Sequence, residues 1–402
     1  MNFKTNNILF KYFILTLCVC ALFSSCGQNN GEKKTLDKEV FFDTSFNSAR
    51  LSDIEEVSEN TFRAKVRPES EPVNKSPWYS FAVRATNDRN IRLILDYEQY
   101  QHRYIPKLSW DRSHWKVLDT SRVEIDTLAH TATLQLQVST KKMFVSAQEI
   151  ETSEDTYTWM GKFIGESFKT EQIVVGKTVM DNDNFALVHE QDGVKDFIVL
   201  VARQHPPEIP GGTIGFKSFY ETLFADTDTA KAFRGNFNIY TFPLLNPDGA
   251  DMGNWRHNAN GVDLNRDWVD FTQPETKMVK HFVEEKVKRG KNIRFALDFH
   301  TSYSGPYLLV LDSINEFKTP GIIPEWIAKI EASSSFKVEA RRRSQELPYC
   351  YNYFFNAFGA EAVTYEDGDE IDRDTIRKRA KVYAKTLMLT LLEKQENGAY
   401  KK

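Results

Sequence analysis

Cysteine is nearly missing from the body of this 402-residue sequence: of four, Cys18, Cys20 and Cys26 fall at the very start and only Cys350 lies further on. Beyond the N-terminal segment, therefore, no disulfide framework can form. Basic charge is not in excess either. Lys and Arg number 52 against 56 Asp and Glu, so 52 − 56 = −4, which argues against nucleic acid as a partner. There is no internal repeat and no low-complexity tract. The one long apolar run, over residues 12–23, falls short of the roughly 20 residues a membrane-spanning helix needs. What is present is the make-up of a folded globular protein, 41% hydrophobic, 27% charged and 13% aromatic, with length enough for two domains.

The apolar run follows Lys4 and Lys11 and ends in Leu22-Phe23-Ser24-Ser25-Cys26-Gly27. A short apolar core closed by small residues suits a signal peptide, and small residues before a cysteine resemble the lipobox of bacterial lipoproteins. That resemblance implies a signal peptide over residues 1–25, lipidation of Cys26, and a membrane-anchored extracytoplasmic protein. Residues 26–39 are polar, as a tether between lipid and domain should be. Removing residues 1–25 takes away two lysines and no acids, which leaves 50 − 56 = −6. No aspartate follows Cys26 directly, so the sequence does not say which membrane or face is occupied.

Residues 40–152 read as an all-β antiparallel sandwich. Stretches at 61–66, 78–83, 91–95 and 131–138 alternate apolar and polar residues, the period of strands with one face buried. Pro68 and Asn87-Asp88 mark turns. Trp110 and Trp115 flank a hairpin crossing and are expected in the core. Nothing in this stretch carries chemistry.

Residues 153–402 change character. Continuous apolar runs at 196–202, 237–245 and 293–299 suit strands buried on both faces. Between them, 273–289 has helical spacing, with Thr272 as the expected N-cap and Glu275 as its capping-box partner. A second long helix is predicted over 372–394, apolar at Ala380, Tyr383, Leu387 and Leu391. Strands alternating with helices predict an α/β fold: a mixed, mainly parallel sheet with helices on both faces. Ligands bind beyond the carboxyl ends of such strands.

Both ends hold candidate ligands. The run 196–202 empties into His205-Pro206-Pro207-Glu208, and 293–299 empties into His300. Two imidazoles and a carboxylate suit a catalytic zinc whose fourth position is left to water. The paired prolines forbid a helix between His205 and Glu208 and make that segment a rigid turn. A lone His-x-x-Glu is a weak signal; its position at two strand ends is what raises it. The other six histidines have no such setting and read as surface or hydrogen-bonded residues.

Leu245-Asn246-Pro247-Asp248-Gly249, Asn254-Trp255-Arg256 and Gly261-Val262-Asp263-Leu264-Asn265-Arg266-Asp267-Trp268 follow in order. Together with the His/Glu/His set they resemble the zinc carboxypeptidase family, most nearly the cytosolic carboxypeptidase (deglutamylase-like) branch, across residues 155–390. That branch also places a β-sandwich ahead of its catalytic domain. The resemblance implies one Zn2+ per chain on His205, Glu208 and His300, and a peptide substrate with a free C-terminal carboxylate. Asn265 and Arg266 would receive that carboxylate, a planar guanidinium offering a bidentate grip. Arg256 would stabilise the oxyanion, and Glu366 would take a proton from the attacking water and pass it to the leaving amine. Asp367, Asp369 and Glu370 stand close enough to leave that last choice open. The family's substrate-side tyrosine could be Tyr349 or Tyr351. Two departures stand out: Pro207 occupies a position where the branch commonly has glycine, and residues 348–353 form a tyrosine-rich run of their own. Arg341-Arg342-Arg343 would either favour an acidic C-terminal residue or form a solvated face. A cell-wall stem peptide as substrate, and a binding module on an inactive peptidase scaffold, are the competing readings.

Overall fold

A computed structural model describes residues 39–166, 168–312 and 321–400. The expected signal peptide, Cys26 and nearly all of the tether lie outside the described residues. Residues 39–402 cluster as one unit.

Alternation in the first part produces two five-stranded sheets face to face. One runs Val40–Asp43, Ser80–Ala85, Met143–Ser146, Lys107–Ser109, Trp115–Val117; the other runs Ser52–Ser58, Thr61–Lys65, Arg89–Asp96, Thr131–Val138, Val123–Asp126. Every pairing is antiparallel except Thr61–Lys65 with Arg89–Asp96, which is parallel. Phe62, Ala64, Ile91, Leu93, Leu95, Leu134 and Leu136 turn inward to the shared core. The expectation of two core tryptophans fails at Trp110, which is 38% exposed, while Trp115 is half-buried. Their hairpin is the edge of its sheet, so one flank has no neighbouring strand to cover it.

The second part forms one eight-stranded sheet in the order Thr170–Lys177, Asp183–His189, Asn238–Phe242, Asp196–Ala202, Asn292–Ser302, Glu361–Gly368, Tyr307–Leu311, Ala340–Arg343. The four strands from Asn238–Phe242 to Glu361–Gly368 are parallel; the outer pairings are mixed. The apolar runs are continuous because successive side chains enter two different cores. Ile198, Leu200 and Ala202 join Leu297, Phe299 and Val363 on one face. Phe197, Val199 and Val201 join Ile293 and Ala296 on the other.

Phe216–Leu223, Ile322–Ser333 and Arg373–Glu396 supply the first core, with Trp326, Tyr383, Leu387 and Leu391 buried. Pro274–Lys288 and Cys350–Phe358 supply the second. The helix expected from Thr272 begins one residue later: Gln273 is its N-cap and Pro274 its first residue, where a fixed φ and a missing N–H cost nothing. Thr272 instead donates its N–H and its hydroxyl to Asp267 at 2.7 Å each. Glu275 accepts from Asn258 at 3.0 Å, so no capping box forms. Among the described residues no helix is long and apolar enough to cross a membrane.

Candidate metal centre and active site

The strands Asp196–Ala202 and Asn292–Ser302 are parallel neighbours with Ala202 opposite Phe299, so both chains leave the sheet at the same edge. His300 follows Phe299 directly. After Ala202 the backbone turns through Arg203 at φ +53° and runs through Pro206-Pro207 to Glu208. It then enters a wide helical turn over Pro210–Gly215, ahead of the helix Phe216–Leu223. That turn sits hard against the strand end. A Cβ at Gly211 would stand 1.8 Å from the His300 carbonyl oxygen, so only glycine fits. The Gly211 N–H donates to Thr301 Oγ1 at 2.8 Å.

His205, Glu208 and His300 are thereby brought together, all buried, with ligand atoms within 4.8 Å of one another. His205 Nδ1 lies 2.8 Å from Glu208 Oε1 and His300 Nδ1 lies 2.7 Å from Glu208 Oε2. The two Nδ1 atoms are 3.2 Å apart. The far nitrogens are taken: His205 Nε2 by Asp263 at 2.9 Å and His300 Nε2 by Asp298 at 2.7 Å. An ionised carboxylate only accepts, so each Nε2 carries the proton. Each Nδ1 then turns a lone pair toward the other and toward Glu208, an arrangement that calls for a cation between them. Carboxylates behind ligating imidazoles orient metal sites in this way. Burial opposes ionisation of Glu208 and Asp263, yet His205 and His300 hold the first, and His205 with Arg256 and Arg266 the second, well below the usual carboxylate range. Burial likewise disfavours a charged His300, but Asp298 and Glu208 hold its imidazole well above its ordinary value. A proton and a metal would compete for that seat. The donor set fits a zinc ion.

Asp263 also ties in the motif arginine. Its second oxygen accepts from Arg256 Nε at 2.6 Å, and its first caps the short turn Leu264–Arg266 by accepting from Asn265 N–H at 2.9 Å. Asn265 points Oδ1 to the Cys350 N–H at 2.9 Å, with Nδ2 3.4 Å from His300 Nε2. Arg266 donates to the Asn265 carbonyl at 2.9 Å and lies over the Tyr349 ring at 4.4 Å, yet its side chain stays 44% exposed. Tyr349 thus lies against Arg266, whereas Tyr351 is buried in the core.

Glu366 stands directly opposite His300 on the neighbouring parallel strand. Its Oε2 is buried without a partner. Burial pushes its carboxyl up to about 8, with Glu208 and Asp298 adding to the effect and His300 opposing it. The three acids beside it are engaged elsewhere. Asp367 accepts from Arg379 and from Tyr365 Oη; Asp369 pairs with Arg103 at 2.8 Å and Glu370 with Lys107 at 2.8 Å. Glu366 is the acid of the four left facing the His/Glu/His cluster. The arginine run lies on the edge strand Ala340–Arg343, where charge discourages pairing with another chain; Arg341 pairs with Glu339 and lies over Tyr307 at 3.6 Å. A cavity of about 660 Å³ is walled by Arg103, Tyr104 and Ile125 of the sandwich and by Tyr303, three residues past His300, and none of the candidate site residues lines it.

Sequence reasoning passed over Asp263 and Asp298. Gln204 was also missed: it donates to Asp298 at 2.8 Å and accepts from Trp268 Nε1 at 2.9 Å. Asp263 had a readable signal, an acid set between two motif arginines. Asp298 had one too, an acid inside an otherwise apolar strand.

A His/Glu/His cluster at the carboxyl edge of a parallel sheet, with an unpaired acid opposite, is the arrangement a metal-dependent hydrolase would need. Residues 156–390 match the family profile described as zinc carboxypeptidase, and the chain belongs to that family. It is 22% identical to cytosolic carboxypeptidase 6 of Mus musculus over 330 residues, 72% of this chain and 58% of that protein. The chain spans less than two thirds of the length of the first curated relatives it matches. In fold it resembles a metallo-carboxypeptidase from Burkholderia cenocepacia, with TM-score 0.72 and 18% identity over 90% of this chain and 100% of the other. A metallo-carboxypeptidase from Pseudomonas aeruginosa, solved with (2-guanidinoethylmercapto)succinic acid, gives TM-score 0.71 and 20% identity, over 89% and 99%. Both solved chains are matched over almost their whole length, so the sandwich and the eight-stranded sheet are shared together.

Proposed function

We propose that the protein is a zinc-dependent metallocarboxypeptidase that releases the C-terminal residue of peptides, with one zinc held by His205, Glu208 and His300. The observation that carries this is the buried, unpartnered Glu366 Oε2 opposite His300. An acid so placed has no structural partner to explain it, and a reacting water would supply one. When bound, zinc contributes Lewis acidity, polarising the scissile carbonyl and lowering the pKa of water.

The remaining work falls to the chain. Arg266, half-exposed above Tyr349, and Asn265 receive the substrate's terminal carboxylate and fix which bond is presented. Arg256, aimed by Asp263, meets the negative charge that develops on the carbonyl oxygen. Glu366 takes a proton from the attacking water and delivers it to the departing amine. A binding module built on a dead scaffold would lack a ligand or the base, and every part is present here. With zinc loaded, Glu366→Gln is expected to keep one metal per chain by elemental analysis and to lose 100-fold or more in kcat, on the order of a general base's contribution. Chelation should abolish wild-type turnover. An active, chelator-resistant enzyme would sink the assignment.

The N-terminal motif supports lipidation at Cys26 and a membrane-anchored, extracytoplasmic location. Fractionation of cells expressing Cys26→Ser should find the protein released from the membrane pellet; continued pelleting would refute the anchor.

A further inference from the structure

The turn that carries Arg256 is held by residues of the sandwich. Glu69 lies in the sandwich, in the loop beyond the strand Thr61–Lys65. Its Oε2 accepts the Trp255 N–H at 2.6 Å, and its Oε1 accepts the Arg256 N–H at 3.0 Å and the His257 N–H at 2.7 Å. The His257 ring donates to the same oxygen from Nδ1 at 2.7 Å. One carboxylate thus fills three successive backbone donors. On the turn's other side the Trp255 indole is buried in the sandwich core, edge-on to Tyr100 at 5.0 Å. Arg50, also from the sandwich, reaches the Gly253 carbonyl at 3.4 Å and Asn254 Oδ1 at 3.3 Å. Toward the eight-stranded sheet the turn is anchored through the Arg256–Asp263–His205 chain.

We propose that Glu69 is a positioning residue for the reaction: the sandwich, through this one carboxylate, sets where the Arg256 guanidinium stands relative to the metal ligands. The inference rests on the carboxypeptidase reading above. A backbone held at three consecutive amides cannot shift without breaking at least one charge-assisted hydrogen bond, and a reacting group displaced by about 1 Å can cost on the order of 100-fold in rate. The same sandwich grips the segment after Glu366 through Arg103–Asp369 and Lys107–Glu370, so both catalytic arms are seated on it.

The test is a double-mutant cycle in the zinc-loaded, full-length enzyme, with hydrogen exchange alongside. Glu69→Ala should keep its zinc, lower kcat by on the order of 10- to 100-fold and leave KM within about threefold, because Arg256 acts in the transition state. In an Arg256→Ala background the same change should cost less than about twofold. Peptides covering residues 254–258 should lose exchange protection while the central strands keep theirs. Glu69→Gln, which retains one accepting oxygen, should recover part of kcat; it also carries the cycle should Glu69→Ala fail to fold. Costs that multiply in the double variant, an unchanged kcat, or unchanged protection at 254–258 would overturn the positioning role. A zinc-loaded wild type that cleaves no peptide would instead bring down the carboxypeptidase reading, and the positioning role with it.

Discussion

Asp263 gives one oxygen to His205 and the other to Arg256, and also caps the turn bearing Asn265 and Arg266. The proposed metal ligand, the proposed oxyanion group and the pair proposed to bind the terminal carboxylate therefore share a single reference point. Glu69 does the same for three amides, and its environment makes it a pH sensor for stability. Burial alone would raise its carboxyl, yet the His257 ring and the N–H groups of Trp255 and His257 hold it at about 2. A depressed folded-state value means the contribution is complete above the unfolded value near 4.5 and disappears as pH falls toward 2. It amounts to about 3 kcal/mol at neutral pH. Chemical denaturation of wild type and Glu69→Gln at a series of pH values should show two curves separated at pH 7 that converge between about pH 4.5 and 2. A separation that persists at pH 2 would refute this source.

At the scale of elements, the decisive contact is the wide helical turn Pro210–Gly215 against the end of the strand Asn292–Ser302. His205 and Glu208 stand on the segment leading into that turn and His300 on the strand, and Gly211 lets the two close. Gly211→Ala drives a methyl into the His300 carbonyl. Overpacking of this kind costs typically about 1–3 kcal/mol, and here the strain falls on a ligand. Thermal melts should show a drop of several degrees together with weaker zinc retention on dialysis; a variant with normal melting and full zinc would show that the backbone yields freely. The strand-end logic was legible beforehand, because apolar runs announced the parallel strands and His205 and His300 followed them. The helix start was not. Asp267 accepts the N–H and hydroxyl of Thr272 and Asn258 engages Glu275, so neither is left to cap a helix that starts at Pro274.

At the scale of the molecule, the sandwich and the eight-stranded sheet share residues as well as a border. Trp255 belongs by sequence to the second part and by packing to the core of the first. Arg103, Lys107, Gln148 and Glu149 of the first part bind Asp369, Glu370 and Arg373 of the second. The sandwich looked idle in the sequence because none of its residues belongs to a recognised motif. Its contribution is distributed over single side chains more than a hundred residues from the groups they hold.

The sequence by itself determined the two-part architecture, the parallel centre of the sheet and the candidate ligands. These follow from local periodicity and from residue types that have few other uses: an imidazole at a strand end, an arginine beside an asparagine, an acid after an apolar run. Only the tertiary structure decided among chemically equivalent side chains. Glu366 differs from Asp367, Asp369 and Glu370 in that those three bind cations or hydroxyls, and Tyr349 differs from Tyr351 in that one lies against Arg266 and the other in the core. The physical reason is common to both cases. A polar group's role depends on which partners reach it in space, and those partners came from distant parts of the chain.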